Sequence, residues 1–270
     1  MEEREDNPDR NPIGKCAEGR EIKPSNENSD APGFPPWSMK IIALGIVGYL
    51  VLNVFSAALV GACTALGDMW FGWGMDLRQQ VYVAVVFAEP VYAAQGVAVI
   101  LLLSRLSPSF LRNAWVSYTF EAKPLACGAL LGLMFGGFSA ITYEAPAVDA
   151  ITWSPALVGM STAQLVAWHL VFGAVMTGII EEVLFRGVVY QAFRKRFTVG
   201  GAVALSALVF TVLHVDQLGN SIQMASSLAA GVTAALLLER TRSLNPSVCF
   251  HAMANASGLL AYRFVIDTVA

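Results

Sequence analysis

The feature that most constrains this chain is a series of apolar segments long enough to cross a lipid bilayer. About 20 apolar residues cross the hydrocarbon core as a helix, and a backbone in lipid must satisfy its own hydrogen bonds. The sequence therefore predicts an all-α fold, a polytopic transmembrane helix bundle of seven spans, or eight if residues 104–120 also cross. The predicted spans are about 41–64, 81–103, 125–142, 161–185, 201–215, 222–238 and 248–264.

Composition supports a membrane protein. The chain is 56% hydrophobic and only 14% charged, whereas soluble domains carry about 25% charged residues. Residues 1–38 are charged and proline-rich without a continuous apolar run, so we predict a disordered tail. The remainder divides into N-terminal transmembrane helices (39–150) and a membrane core that holds the motifs described below (151–270). Nothing in the composition indicates a nucleic-acid partner; the expected partner is the lipid bilayer.

The basic residues predict an orientation. Lys and Arg concentrate in the tail and in every second connection, so that with a cytoplasmic tail only Arg78 and Arg263 face outward. Because cytoplasmic connections are enriched in Lys and Arg, we expect the N-terminus to be cytoplasmic. The expected location is a plasma or inner membrane.

Several ionisable residues lie inside the predicted spans. A charge at the bilayer centre costs about 2.5–3.5 kcal/mol, so such residues need a partner or a function. They occur at four places: Glu89, the segment Glu181-Glu182-x-x-x-Arg186, His214, and the pair His251-x-x-x-Asn255.

The acidic pair suggests a general base. Glu182 and Arg186 are four residues apart in the order that favours a helical ion pair. That pair leaves Glu181 without a partner on its own helix, and a buried carboxylate in that position can accept a proton near neutral pH. The alternative is an ion-pair network that only joins two helices.

The histidines allow two kinds of chemistry. Glu181 and His214 are nearly symmetric about the basic turn 194–196, so an antiparallel hairpin places them at similar depth. The spans place His251 closer to the cytoplasmic face, and His169 is interpreted as structural. Glu181, His214 and His251 are candidate ligands of a catalytic zinc ion. Equally, Glu181 can deprotonate a water directly while the histidines and Asn255 polarise a carbonyl group.

These motifs resemble those of a known family. Glu181-Glu182-Val-Leu-Phe-Arg186, Phe210-x-x-x-His214 and His251-x-x-x-Asn255 are similar, in order, to the E-E-x-x-x-R, F-x-x-x-H and H-x-x-x-N/D motifs of the CAAX prenyl endopeptidase and bacteriocin-processing family (CPBP, also called Abi). The resemblance covers about 165–262 and is closest to the type II CAAX prenyl endopeptidases.

The resemblance implies an intramembrane endopeptidase whose substrate is a peptide or a lipidated protein. By that likeness Glu181 activates the attacking water, and His214 and His251 bind a metal or position the water. Asn255 would stabilise the oxyanion, and Glu182 and Arg186 would support the site. Two alternatives stay open from the residues alone: a non-catalytic membrane adaptor, and a transporter that uses Glu89 and the site residues as a proton relay.

Overall fold

The computed structural model describes residues 39–106, 120–142, 158–214 and 220–269. The predicted tail (1–38) and most of the candidate eighth span (104–120) lie outside these residues. Within them, seven long helices correspond in order to the seven predicted spans, and no strand is present. The helices are α1 (Met39–Phe71), α2 (Leu77–Leu106), α3 (Ala122–Thr142), α4 (Thr162–Arg194), α5 (Val199–Leu213), α6 (Ser221–Thr241) and α7 (Asn245–Val269).

The all-α class is confirmed, while the number of spans stays a prediction. Among the described residues, five helices are long and apolar enough to cross a membrane, namely α1, α2, α3, α4 and α6. Helix α5 is apolar but only 15 residues long. Helix α6 extends over 21 residues, four more than the segment predicted at 222–238. Helix α7 has 25 residues.

Short polar signals fix where the helices begin and end. Ser161 caps α4 in a reciprocal arrangement with Gln164, which satisfies backbone donors that have no intrahelical partner. Thr198 and Asn220 cap α5 and α6 through side-chain oxygens that accept hydrogen bonds from backbone N–H groups. Helix α6 ends at Arg242, which has φ 54°. The starts of α4, α5 and α6 are therefore specified locally.

Helix α4 contains two wide turns. Its backbone is π-helical over Leu170–Met176 and again over Phe185–Tyr190, with an α-helical turn at Thr177–Leu184 between them. Single π-helical turns inside α-helices occur frequently at functional sites. The acidic pair Glu181-Glu182 lies between the two wide turns, and Arg186 lies in the second.

A row of glycines brings α3 into backbone contact with α7. A Cβ atom on Gly128, Gly132 or Gly136 would lie 2.0–2.3 Å from a backbone oxygen of α7. The three oxygens belong to Pro246, Phe250 and Ala254, which are also spaced four residues apart. Both sets increase in the same order, so the two helices run parallel. Small residues at this spacing let membrane helices approach closely. This contact positions α7, which carries the third motif.

The turn between α6 and α7 is buried within the bundle. Ser243, Leu244, Asn245 and Ser247 are each at most 8% exposed. The hydroxyl group of Ser247 donates a hydrogen bond to the carbonyl oxygen of Ala234 on α6 (2.8 Å). Helix α7 therefore begins among the other helices instead of at an exposed loop.

Candidate active site

The two carboxylates of α4 lie in the interior of the bundle and have different partners. Glu182 is fully buried and forms an ion pair with Arg186, with 2.9 Å between Oε1 and the guanidinium nitrogen. Arg186 also donates a hydrogen bond to the carbonyl oxygen of Gly231 (3.1 Å), and its guanidinium carbon lies 4.8 Å from the ring centre of Phe210. A buried arginine with these contacts joins α4 to α5 and α6.

Both motif histidines present the same nitrogen to Glu181. His251 contacts Glu182 Oε1 through Nδ1 (2.8 Å), and His214 contacts the carbonyl oxygen of Phe210 through Nδ1 (2.7 Å). A carbonyl or carboxylate oxygen accepts hydrogen bonds, so each Nδ1 carries the proton. In the neutral form of each ring, the Nε2 atom is then an acceptor.

Three acceptor atoms converge as a result. Glu181 Oε2 lies 3.6 Å from His251 Nε2 and 3.9 Å from His214 Nε2. These separations are too long for direct hydrogen bonds, and Glu181 Oε2 is buried. Polar atoms at such separations are commonly bridged by a water molecule. A group that donates hydrogen bonds, such as a water molecule, suits the position between the three atoms.

The structure thus brings His251 to the carboxylates, which the span positions left unexplained. The buried start of α7 accounts for it, because His251 is only two turns from a helix end that itself lies inside the bundle. The ring is 9% exposed and its edge packs against Phe210, with 5.8 Å between ring centres. Its distance along the chain from the connection between α6 and α7 therefore does not set its position in the bundle.

Asn255 lies one turn beyond His251 on α7. Its Nδ2 atom donates a hydrogen bond to the carbonyl oxygen of Gly173 (3.2 Å) on α4. An amide nitrogen has two protons, so one remains for another acceptor. Asn255 lines the same cavity as His214 and His251.

Two cavities meet at the candidate site. One of about 280 Å³ is bordered by His214, His251 and Asn255 together with the polar side chains of Ser139, Gln223, Ser226 and Ser227. The other, of about 340 Å³, is largely apolar and reaches Glu181 from the side of α1 and α2. His214 borders both cavities. The first cavity also has apolar lining, from Phe135 and Phe250 among others, but it is the more polar of the two.

Sequence reasoning missed a residue that contacts Glu181. The hydroxyl group of Tyr92 on α2 donates a hydrogen bond to Glu181 Oε1 (2.7 Å). Glu181 thus has a partner on another helix, although it has none on its own. A tyrosine in an apolar span carries little signal, since aromatic residues are common in membrane helices. One feature of the sequence indicates Tyr92: it lies three residues after Glu89 and therefore on the same helix face.

Glu89 and His169 form a separate pair. Glu89 Oε1 lies 2.5 Å from His169 Nδ1, and both side chains are largely buried. His169 was interpreted as structural, and this contact joins α2 to α4 as that interpretation requires. Gly173, whose carbonyl accepts from Asn255, also packs against Glu89.

The residues predicted as zinc ligands do not form a three-ligand centre as placed. The donor types are suitable, and each imidazole Nδ1 is held by an oxygen, as is usual for metal-bound histidines. However, zinc ligands at about 2.0–2.2 Å from the ion lie roughly 3.4 Å from one another. The separations from Glu181 are longer. Among the described residues, no group of three His, Cys, Asp or Glu side chains is arranged to hold a metal ion.

A buried carboxylate beside two oriented imidazoles has the group types that general acid–base catalysis requires. Residues 163–257 match the family model described as type II CAAX prenyl endopeptidase Rce1-like. The resemblance drawn from the three motifs is confirmed for this segment, which extends from α4 into α7. The match supports a CAAX-type intramembrane endopeptidase, and with the apolar helices it supports an integral membrane protein.

The other two comparisons give no further relative. No curated protein matches the chain. No solved structure matches it either.

Proposed function

We propose that this protein is an intramembrane endopeptidase in which Glu181 activates a water molecule. The observation that carries the proposal is the convergence of Glu181 Oε2 and the Nε2 atoms of His214 and His251 in a buried site. A water molecule between them can donate its protons to two of these acceptors. Its oxygen is then oriented toward a carbonyl carbon.

The proposed reaction follows from these positions. Glu181 takes a proton from the water as the water oxygen attacks the carbonyl carbon of the scissile peptide bond. The second proton of Asn255 Nδ2 is available to the developing oxyanion. When the tetrahedral intermediate collapses, the C–N bond breaks and protonated Glu181 returns its proton to the leaving nitrogen. Glu182 and Arg186 act indirectly, because they fix the ring of His251 and the packing of α4.

The two cavities suggest how a substrate binds. A peptide needs partners for its backbone groups, which the more polar cavity offers through Gln223 and Ser226. An apolar side chain or a lipid group fits the other cavity, where Leu50, Val54 and Phe185 are exposed to it. We therefore propose a peptide or lipidated-protein substrate that approaches from the bilayer. We propose that the protein lies in a plasma or inner membrane. Its N-terminus is in the cytoplasm in this orientation.

A metal ion is not part of this mechanism, because the described side chains as placed do not fit one. Zinc at Glu181, His214 and His251 stays a prediction from the sequence. A chelator in the assay tests it directly.

The test is peptide cleavage by purified protein in liposomes. A prenylated CAAX peptide, the same peptide without its lipid, and a mixed peptide set are offered to wild type, Glu181→Gln and His214→Ala. Glu121→Gln serves as the matched control, since Glu121 is exposed before α3 and far along the chain from the motifs. Cleavage by wild type and by the control, with loss of at least 100-fold in the other two variants, is expected.

Other outcomes favour the alternatives. Full activity in Glu181→Gln would refute the role of this carboxylate. Folded wild type that cleaves nothing would favour an adaptor, and proton uptake into the same liposomes would favour a relay. Loss of activity with chelator, restored by zinc, would show that a metal participates.

A further inference from the structure

Tyr92 lies outside the segment that matches the family model, yet it contacts the proposed general base. Its hydroxyl oxygen lies 2.7 Å from Glu181 Oε1. That length is typical of an O–H···O hydrogen bond. The contact joins α2 to α4 across 89 residues of sequence.

The approach of Tyr92 is fixed by contacts on both sides of it along α2. Toward the start of the helix, Glu89 pairs with His169, and the carbonyl oxygen of Val86 accepts a hydrogen bond from Trp168 (3.0 Å). One turn after Tyr92, Gly96 packs so closely on Ile180 that a Cβ atom would lie 2.3 Å from that side chain. The hydroxyl group is therefore held against α4 by a continuous helix interface.

The two carboxylate oxygens of Glu181 therefore have different contacts. Oε1 accepts the hydrogen bond from the Tyr92 hydroxyl group, while Oε2 is the oxygen that faces the two histidines. A carboxylate with one oxygen held in this way cannot rotate freely about its last torsion, which is otherwise soft. The oxygen that must accept the proton of water is thus kept in place.

We propose that Tyr92 is a positioning residue that orients Glu181 for general-base catalysis. This role rests on the proposed function. It makes the N-terminal helices part of the active site, because α2 supplies a group that the matched segment 163–257 does not contain. The hydroxyl group, and not the aromatic ring, is the required feature.

The test compares Tyr92→Phe with Tyr82→Phe in the same liposome assay. Tyr82 is on the same helix and is buried, but it packs with Val86 and Leu165, ten residues from Tyr92. Loss of a hydrogen bond to a charged group predicts a decrease in kcat of about 10- to 100-fold for Tyr92→Phe. KM should change less than about threefold, because Tyr92→Phe keeps the aromatic ring that lines the apolar cavity. Tyr82→Phe should retain wild-type kcat.

A second comparison shows whether the effect acts through Glu181. In Glu181→Asp the shorter side chain withdraws the carboxylate from the tyrosine, so adding Tyr92→Phe should cost less than about threefold. Equal losses in both backgrounds would overturn the proposal, as would a kcat for Tyr92→Phe within threefold of that for Tyr82→Phe.

A third pair of variants covers the case in which Tyr92→Phe is poorly folded. Tyr92→Gln keeps a donor and Tyr92→Leu does not, so Gln should retain the higher kcat. Equal rates for this pair would also overturn the proposal. If wild type is active and Glu181→Gln is not, these results bear on Tyr92 alone. An inactive wild type would overturn the proposed function and the role of Tyr92 with it.

Discussion

Replacing Gly136 by alanine tests whether the close contact of α3 with α7 holds the site together. A Cβ atom at this position would lie 2.0 Å from the carbonyl oxygen of Ala254 and 2.2 Å from the hydroxyl oxygen of Ser257. Carbon atoms do not approach backbone oxygens closer than about 3.0 Å. One of the two helices must therefore move by about 1 Å. The displaced residue Ala254 directly precedes Asn255.

The adjacent glycine provides a matched control for the effect of Gly136→Ala on stability. Gly137 is on the same helix, and a Cβ atom there would meet nothing within 4 Å. Both substitutions remove a glycine from a helix interior, so their effects on helix propensity cancel in the comparison. Overpacking a tight interface costs about 1–3 kcal/mol. We expect Gly136→Ala to be less stable than Gly137→Ala by that amount.

Activity should respond more strongly than stability. A displacement of about 1 Å of a group that contacts the reacting atoms can cost about 100-fold in rate. The assay is thermal unfolding in detergent together with kcat in liposomes for the two variants. Equal midpoints and equal rates would refute the close packing of α3 on α7. A loss of stability without a loss of rate would show that the position of α7 tolerates the shift.

Three further substitutions test other contacts. Arg186→Met should destabilise the protein by about 3–5 kcal/mol, because Glu182 would lose its buried cation; an unchanged unfolding midpoint would contradict this. Glu89→Gln should lower stability by about 1–3 kcal/mol, because it weakens the contact with His169. The measurement is thermal unfolding, and an increase in stability would contradict an ion pair between the two residues. Ser247→Ala should cost about 1 kcal/mol, because the buried carbonyl oxygen of Ala234 would lose the hydrogen bond that it accepts in addition to its helical one. The measurement is chemical denaturation, and an unchanged midpoint would contradict this prediction.

The sequence predicted the elements of the fold because long apolar segments leave few choices in a membrane. Seven segments correspond to seven helices, and the juxtaposition of Glu181 with His214 followed from the symmetry of a single hairpin. This inference succeeds because the turn at 194–196 is short, and the positions of Glu181 and His214 are both measured along the chain from that turn. Local geometry alone was sufficient there.

The position of His251 could not be predicted in this way. Counting from the connection assumes that every helix begins at the membrane surface, whereas α7 begins at a buried turn. The two π-helical stretches of α4 also change which side chains share a face, and a periodicity of 3.6 residues does not anticipate them. Tyr92 escaped notice because its role depends on how α2 packs on α4, which no motif records.

The order of the helices along the chain has a consequence for biosynthesis. Helix α4 carries Glu182 and Arg186 four residues apart, so these charges can pair as soon as their own helix forms during translation. His251 and Asn255 are on α7, which leaves the ribosome after α2, α4 and α5. A nascent chain therefore holds the carboxylates before it holds the second imidazole and the amide. On the proposed mechanism, the site is complete only when α7 docks along the glycines of α3, so a chain that has not yet added α7 lacks part of its catalytic group.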